Sequence, residues 1–284
     1  MSISESAVLV RLSISTWTAK KIDKKQGDTV SIANGADMKA GKYIKDLMVG
    51  SNHVSQTTKY ANSARNEYTE RTLPWDDMGD RILSTSTLLP FKADFNKKRD
   101  DFWRRRDYIC DNYERLKQIS ANYLGDMHDP KDYPSVDDVY SKYGWKLTMK
   151  VVPESGHLYL DLPAEDLEEM RQELDAENQE KTKHAMDAAW HRMHDMLTGM
   201  SSKLIESDDN DKKKRFYDSF VSNPKDLCDM LEHLNITGDP ELERARVMLE
   251  RTIKGADIEV IKESPAIRED MKTKVDSILQ QFEW

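Results

Sequence analysis

An apolar residue recurs at every seventh position through the middle of the chain: Phe95, Phe102, Ile109, Leu116 and Tyr123. That period keeps to one stripe of an α-helix, so residues 94–124 are predicted as one helix with a stripe to cover. The alternate seam positions, Arg99, Arg106, Tyr113 and Ser120, are wetter. Arginine stems can lie along apolar surface while their heads stay in water. Such a helix is about 45 Å long at 1.5 Å per residue. A partner helix, from the same chain or a second copy, is expected alongside it.

A second seam lies in a helix predicted over about 164–206, opened by Pro163. Met186, Trp190, Met193, Leu197, Met200 and Leu204 follow alternating spacings of four and three. Leu167, Met170 and Leu174 run in another phase, and the polar segment 175–183 between them predicts a register shift or bend. Between the two seams, residues 145–151 and 158–162 each alternate apolar and polar around Pro153-Glu154-Ser155-Gly156. This pattern predicts a β-hairpin at about 145–162. A hairpin alone is marginal in water, so the β-branched stretch 7–14 is expected as a strand covering it.

Residues 38–70 read as helical with a break near Gly50-Ser51, and a short helix is expected from Ser135 to Tyr143. The charged run 207–214 is the best boundary. The prediction is an elongated helical domain over 1–206 and a small acidic helical region over 207–284. In the latter, Phe216, Tyr217, Phe220 and Val221 suit one helix, stopped by Asn223-Pro224. Leu227, Met230, Leu231 and Leu234 suit a second, and 241–254 and 265–282 two more. The fold class is mainly α with a small antiparallel β element (α+β), its long antiparallel coiled-coil-like helices joined by the hairpin.

Composition supports a thin core. Of 284 residues, 38% are apolar and 33% charged, which favours a helix-rich protein over a large α/β enzyme. Cys110 and Cys228 match no metal spacing and read as reduced thiols. No signal peptide and no membrane-length apolar run are read, so no membrane partner is expected. The net charge of −9 is uneven: residues 1–118 hold 21 Lys and Arg against 16 Asp and Glu, the remainder 22 against 36.

The positive charge defines a candidate nucleic-acid-binding set: Trp17 with Lys20, Lys21, Lys24 and Lys25; Lys39 and Lys42, sharing a helix face with Lys45; and Arg104 and Arg105. A ring can stack on a base while lysines meet phosphates. The competing reading is a core tryptophan beside solvated charge. Asp76, Asp77 and Asp80 read as turn caps. His184, Asp187, His191 and His194 share a helix face, but one helix seldom completes a coordination sphere, so no metal and no cofactor are expected. With no phosphate loop, nucleophile elbow or Cys–His pair in view, the chain reads as non-enzymatic.

Four segments, residues 15–25, Thr72-Leu73-Pro74-Trp75, Asp132-Tyr133-Pro134-Ser135 and Asp161-Leu162-Pro163, resemble a family of bacteriophage and prophage proteins with no established activity. The resemblance implies a phage product in the host cytoplasm and supplies no catalytic residue. The first reading is a self-associating helical assembly or interaction module, a homo-oligomer held by Phe95, Phe102, Ile109, Leu116, Tyr123, Met186, Trp190, Met193 and Leu197. The alternatives are a nucleic-acid-binding accessory protein of phage replication or recombination, and an inhibitor of a host protein.

Overall fold

A computed structural model describes residues 3–204, 216–282 and 284. It is mostly helical, with a small four-stranded antiparallel sheet and a two-stranded one. In chain order the first elements are α1 (Ile3–Ser6), β1 (Ala7–Ser15), β2 (Lys20–Ile22), α2 (Lys24–Ala33), β3 (Ile44–Asp46) and α3 (His53–Glu70). Next come β4 (Leu73–Pro74), β5 (Arg81–Ser84), α4 (Leu88–Asp111), α5 (Tyr113–Leu124), α6 (Val136–Ser141) and β6 (Gly144–Val151). The last are α7 (Ala164–Leu204), α8 (Ser219–Leu234), α9 (Pro240–Ile253), α10 (Ile258–Glu263) and α11 (Pro265–Gln281).

The chain forms two compact units. Unit 1 comprises residues 1–11, 69–90 and 148–284; unit 2 comprises 12–68 and 91–147. The sequence boundary, the charged run 207–214, lies outside the described residues. The units do not follow a division at 206/207: α8, α9 and α11 all pack on α7. The reason is the Met/Leu seam. Met193 and Leu197 are fully buried and Met200 nearly so, within one core that also holds Leu231, Leu249 and Ile278.

Unit 1 is framed by its caps. Asp239 accepts from the Glu241 and Leu242 amides at the start of α9, with Pro240 at the first helical position. Ser264 caps α11 by accepting from the Ile267 amide. Pro224 does not end a helix; it sits buried within α8, which is a single helix where two were expected. The helix α7 runs unbroken through 175–183, where a register shift or bend was expected, and its buried residues all lie from Ala185 onward.

The four-stranded sheet has the order β4-β5-β1-β6. In unit 1, β1 pairs antiparallel with β5, Ala7 opposite Ser84 and Val10 opposite Arg81. The strand expected at 7–14 is therefore present. The hairpin is not: residues 158–162 form no strand, and β6 borders β1 in the sheet. Alternation in 158–162 reflected no pairing, since Tyr159, Leu160 and Leu162 are exposed.

In unit 2 the seam helix is two helices, α4 and α5, interrupted at Asn112. The interruption shifts the phase of the apolar stripe. Phe95, Phe102, Ile109 and Leu116 are buried, but beyond the break the buried set is Tyr113, Leu116, Ser120 and Leu124. Tyr123 lies outside it at 67% exposed, and the supposedly wetter Tyr113 and Ser120 are inside. Gly125 ends α5 with φ of 53°, the left-handed region that glycine enters at low cost. Ser135 caps α6 by accepting from the Asp138 amide. The helix expected from residue 38 starts at His53; Lys39 and Lys42 precede it in turns and coil.

Candidate nucleic-acid interface

The basic residues of unit 2 are placed by a small ribbon and by α4–α5. Strands β2 and β3 pair antiparallel, with Lys20 opposite Asp46 and Lys21 opposite Lys45. Asp23 then caps α2, its carboxylate accepting from the Gln26 amide at 3.1 Å. Lys45 turns inward and is 4% exposed. Its ammonium donates to the Met127 carbonyl at 2.7 Å and pairs with Asp23 at 3.3 Å and with Asp132. Lys21 pairs with the same Asp132 at 2.7 Å. Burial alone would lower the Lys45 pKa, but hydrogen bonds to Asp132 and Asp23 outweigh it and the net shift is upward. For Asp132, burial opposes ionisation and the two lysines override it, holding the carboxyl below its ordinary range.

This network accounts for two of the sequence-derived lysines. Lys45 is a structural cation, and Lys21 is already neutralised. Lys20, Lys24, Lys25, Lys39 and Lys42 are exposed. Trp17 is not a stacking surface. It is 6% exposed, edge-on to Tyr113 at 5.9 Å between ring centroids, and belongs to the unit 2 core with Phe102, Ile109 and Leu116.

Arg104 and Arg105 lie on a different part of the unit, against the start of α3. A cavity of about 350 Å³ is lined by His53, Gln56, Thr57, Asp101, Arg104, Arg105 and Tyr108. A second, of about 560 Å³, is lined by Asp46, Gly50 and His53 on one side and Tyr108, Arg115 and Ile119 on the other. His53 and Tyr108 line both, so the two form one trough between α3 and α4–α5. Their rings tilt together at 4.5 Å. The Arg105 guanidinium lies 4.6 Å from the Tyr60 ring centroid, a cation–π placement that orients it. Arg104 pairs with Asp101, and the Asp46 carboxylate accepts from the Met48 amide, so the trough carries two acids among its cations. Burial raises the Tyr60 pKa, with Asp101 adding to it.

Arg115, Tyr108 and His53 were missed from sequence. One signal was present: Arg104, Tyr108 and Arg115 are spaced four and seven apart, which places them on one helical face. His53 arrives only through the packing of α3. Unit 2 as a whole holds 21 Lys and Arg against 16 Asp and Glu, a net of +5; unit 1 holds 22 against 36, a net of −14.

The sequence-derived self-association seam is covered by the chain's own residues. Phe95, Phe102, Ile109, Met193 and Leu197 are fully buried, and Leu116 and Met186 nearly so. Trp190 is half-buried, its indole N–H donating to Asp239 at 3.0 Å. None of these eight stands open as a stripe for a second copy; Tyr123, the ninth, is exposed beside Gly50. Cys110 is half-buried and Cys228 buried, both as free thiols. Among the described residues no cluster of three His, Cys, Asp or Glu is placed to hold a metal ion. His191 instead contacts the Asp187 carbonyl, and His194 packs on Trp284. Among the described residues no helix is long and apolar enough to cross a membrane. The chain matches no family model, no curated protein and no solved structure.

Proposed function

We propose that this chain is a non-enzymatic nucleic-acid-binding accessory protein that works through the basic face of unit 2. Its setting is the phage replication or recombination that the sequence resemblance implies. One observation carries the reading. Residues 20 and 46 are paired across the ribbon, and Asp46 also lines the trough whose far wall bears Arg104, Arg105 and Arg115. Arg104, Arg105 and Arg115 thus line one trough, on the unit whose net charge is positive. Phosphate neutralisation by such a surface releases counterions and makes affinity fall with salt.

The test is fluorescence anisotropy of labelled oligonucleotides against the full chain over a range of KCl. The expected result is a linear log–log dependence with a slope of about 0.7–0.9 for each phosphate neutralised. Arg105→Glu and Arg115→Glu together should flatten the slope and weaken binding. Affinity that does not depend on salt, or no binding at low salt, overturns the reading.

A second reading, self-association, is favoured by a different surface from the seams. In unit 1, Tyr159, Leu160, Leu162 and Met170 are 81%, 46%, 45% and 38% exposed within twelve positions of one another. Apolar residues grouped in this way mark contact surfaces. A solution mass that stays at the 32.9 kDa of one chain over a wide concentration range counts against it.

A further inference from the structure

Resting on the nucleic-acid reading above, we infer that the trough of unit 2 takes a single strand, with bases stacked on Tyr108 and Tyr123. Tyr108 sits where the two cavities join, backed by the His53 ring, and is 45% exposed. Tyr123 is 67% exposed. Its ring lies directly over Gly50, which lines the larger cavity: a Cβ built on Gly50 would meet two Tyr123 ring carbons at 2.4 Å. Gly50 also has φ of 85°, so both its backbone and its missing side chain hold that ring in place.

In unit 2 the exposed rings are Tyr108, Tyr123 and Tyr140, and of these Tyr108 and Tyr123 stand at the trough. Trp17, Phe91, Phe95, Phe102, Tyr113 and Tyr143 are each 6% exposed or less. Tyr108 lines the cavities that Arg104, Arg105 and Arg115 also line, and Tyr123 covers Gly50 of the larger one. Fifteen positions separate the two rings, at most about 22 Å of helix. That length falls within the span of known single-strand sites, which take about 4–16 nucleotides. A base inside a duplex has both faces covered by its neighbours, so this arrangement favours unpaired strands. Base–ring stacking is sequence-tolerant because every base has a π-face.

Labelled dT12, rU12 and a blunt 12-bp duplex, each titrated into the full chain at low salt, test the inference. Tighter binding of dT12 or rU12 than of the duplex is expected. Tyr108→Ala and Tyr123→Ala should each weaken single-strand binding by about 5- to 100-fold. Their salt slopes should stay as in the parent, because no cation is removed. Tyr108→Phe and Tyr123→Phe, which keep the ring, should bind like the parent. If the duplex binds as tightly as the single strands, or the alanine variants bind like the parent, stacking is overturned while salt-dependent binding still supports the broader reading. If no probe binds, both fall.

Discussion

The two units answer the same sequence pattern in different ways. Each has a helix with a periodic apolar stripe. In unit 1 the stripe of α7 is covered by other helices, and the core is Met, Leu and Ile: Met193, Leu197, Leu231, Leu249, Ile278. In unit 2 the stripe of α4 is covered by rings. Phe95 and Phe102 lie 6.5 and 5.4 Å from Trp145, Phe102 lies 6.0 Å from Tyr143, and Phe91 and Phe95 stack at 4.4 Å. Unit 2 also buries a lysine between two carboxylates and lays the Arg106 guanidinium over Trp103 and Tyr140 at 4.3 and 3.9 Å. A heptad stripe says that something must cover it and leaves open what does. The unit closed by aliphatic side chains carries the negative charge; the unit closed by rings and ion pairs carries the positive.

The contrast breaks most visibly in the cores. Phe102→Ala should cost about 3–5 kcal/mol and Leu197→Ala about 2–5. Urea unfolding followed by tryptophan fluorescence reads both, because Trp17, Trp103 and Trp145 report on unit 2 while Trp75, Trp190 and Trp284 report on unit 1. Each variant is expected to shift its own unit's transition further than the other's. Equal shifts would mean that the division into two cores has no thermodynamic meaning.

Next in size is the buried cation. Lys45→Met leaves Asp23 and Asp132 without the ammonium between them and should cost about 3 kcal/mol. A midpoint within error of the parent would show that water satisfies those carboxylates as well as Lys45 does.

Acid brings the units together again. In unit 1 burial would raise the Asp80 pKa, but Arg11 at 2.6 Å and Lys150 at 3.0 Å outweigh it, so the carboxyl titrates below its ordinary 3.8. In unit 2 the amide hydrogen bond from Gln26 lowers Asp23, and Asp132 is lowered as described. Carboxyls depressed in the folded state contribute stability that is complete above about pH 4 and lost as pH falls through their folded values. Urea midpoints at pH 6, 4 and 3 should therefore be level at first and then drop for both units. A rise on acidification would contradict the pairing.

The smallest effect is a control. Lys274 and Asp270 are an exposed i,i+4 pair on α11, and Lys274→Ala should change stability by no more than about 0.5 kcal/mol. A larger loss would mean that unit 1 depends on surface charge as unit 2 depends on Lys45.

What could be read in advance was local. The Ser135 cap, Pro163 ahead of α7, Gly125 after α5 and the strand expected at 7–14 all express backbone rules acting within a few residues. What could not be read was pairing across distance. Lys39, Lys42 and Lys45 have helical spacing, yet Lys45 belongs to a strand, paired opposite Lys21, and its ammonium is held by Asp132, 87 positions on. The alternation in 158–162 matched a hairpin, but β1 stands next to β6 in the sheet. At the candidate site Arg104 and Arg105 were legible as charge. Tyr108, Arg115 and His53 became visible only once α3 met α4–α5.

Helix α7 is 41 residues long, and all its buried residues lie from Ala185 onward. Amides near Leu167 should therefore exchange with deuterium quickly and those near Leu197 slowly, although both belong to one unbroken hydrogen-bonded column. A far-ultraviolet melting curve would then lose ellipticity gradually well before its main transition, as the uncovered turns unwind from Ala164 inward.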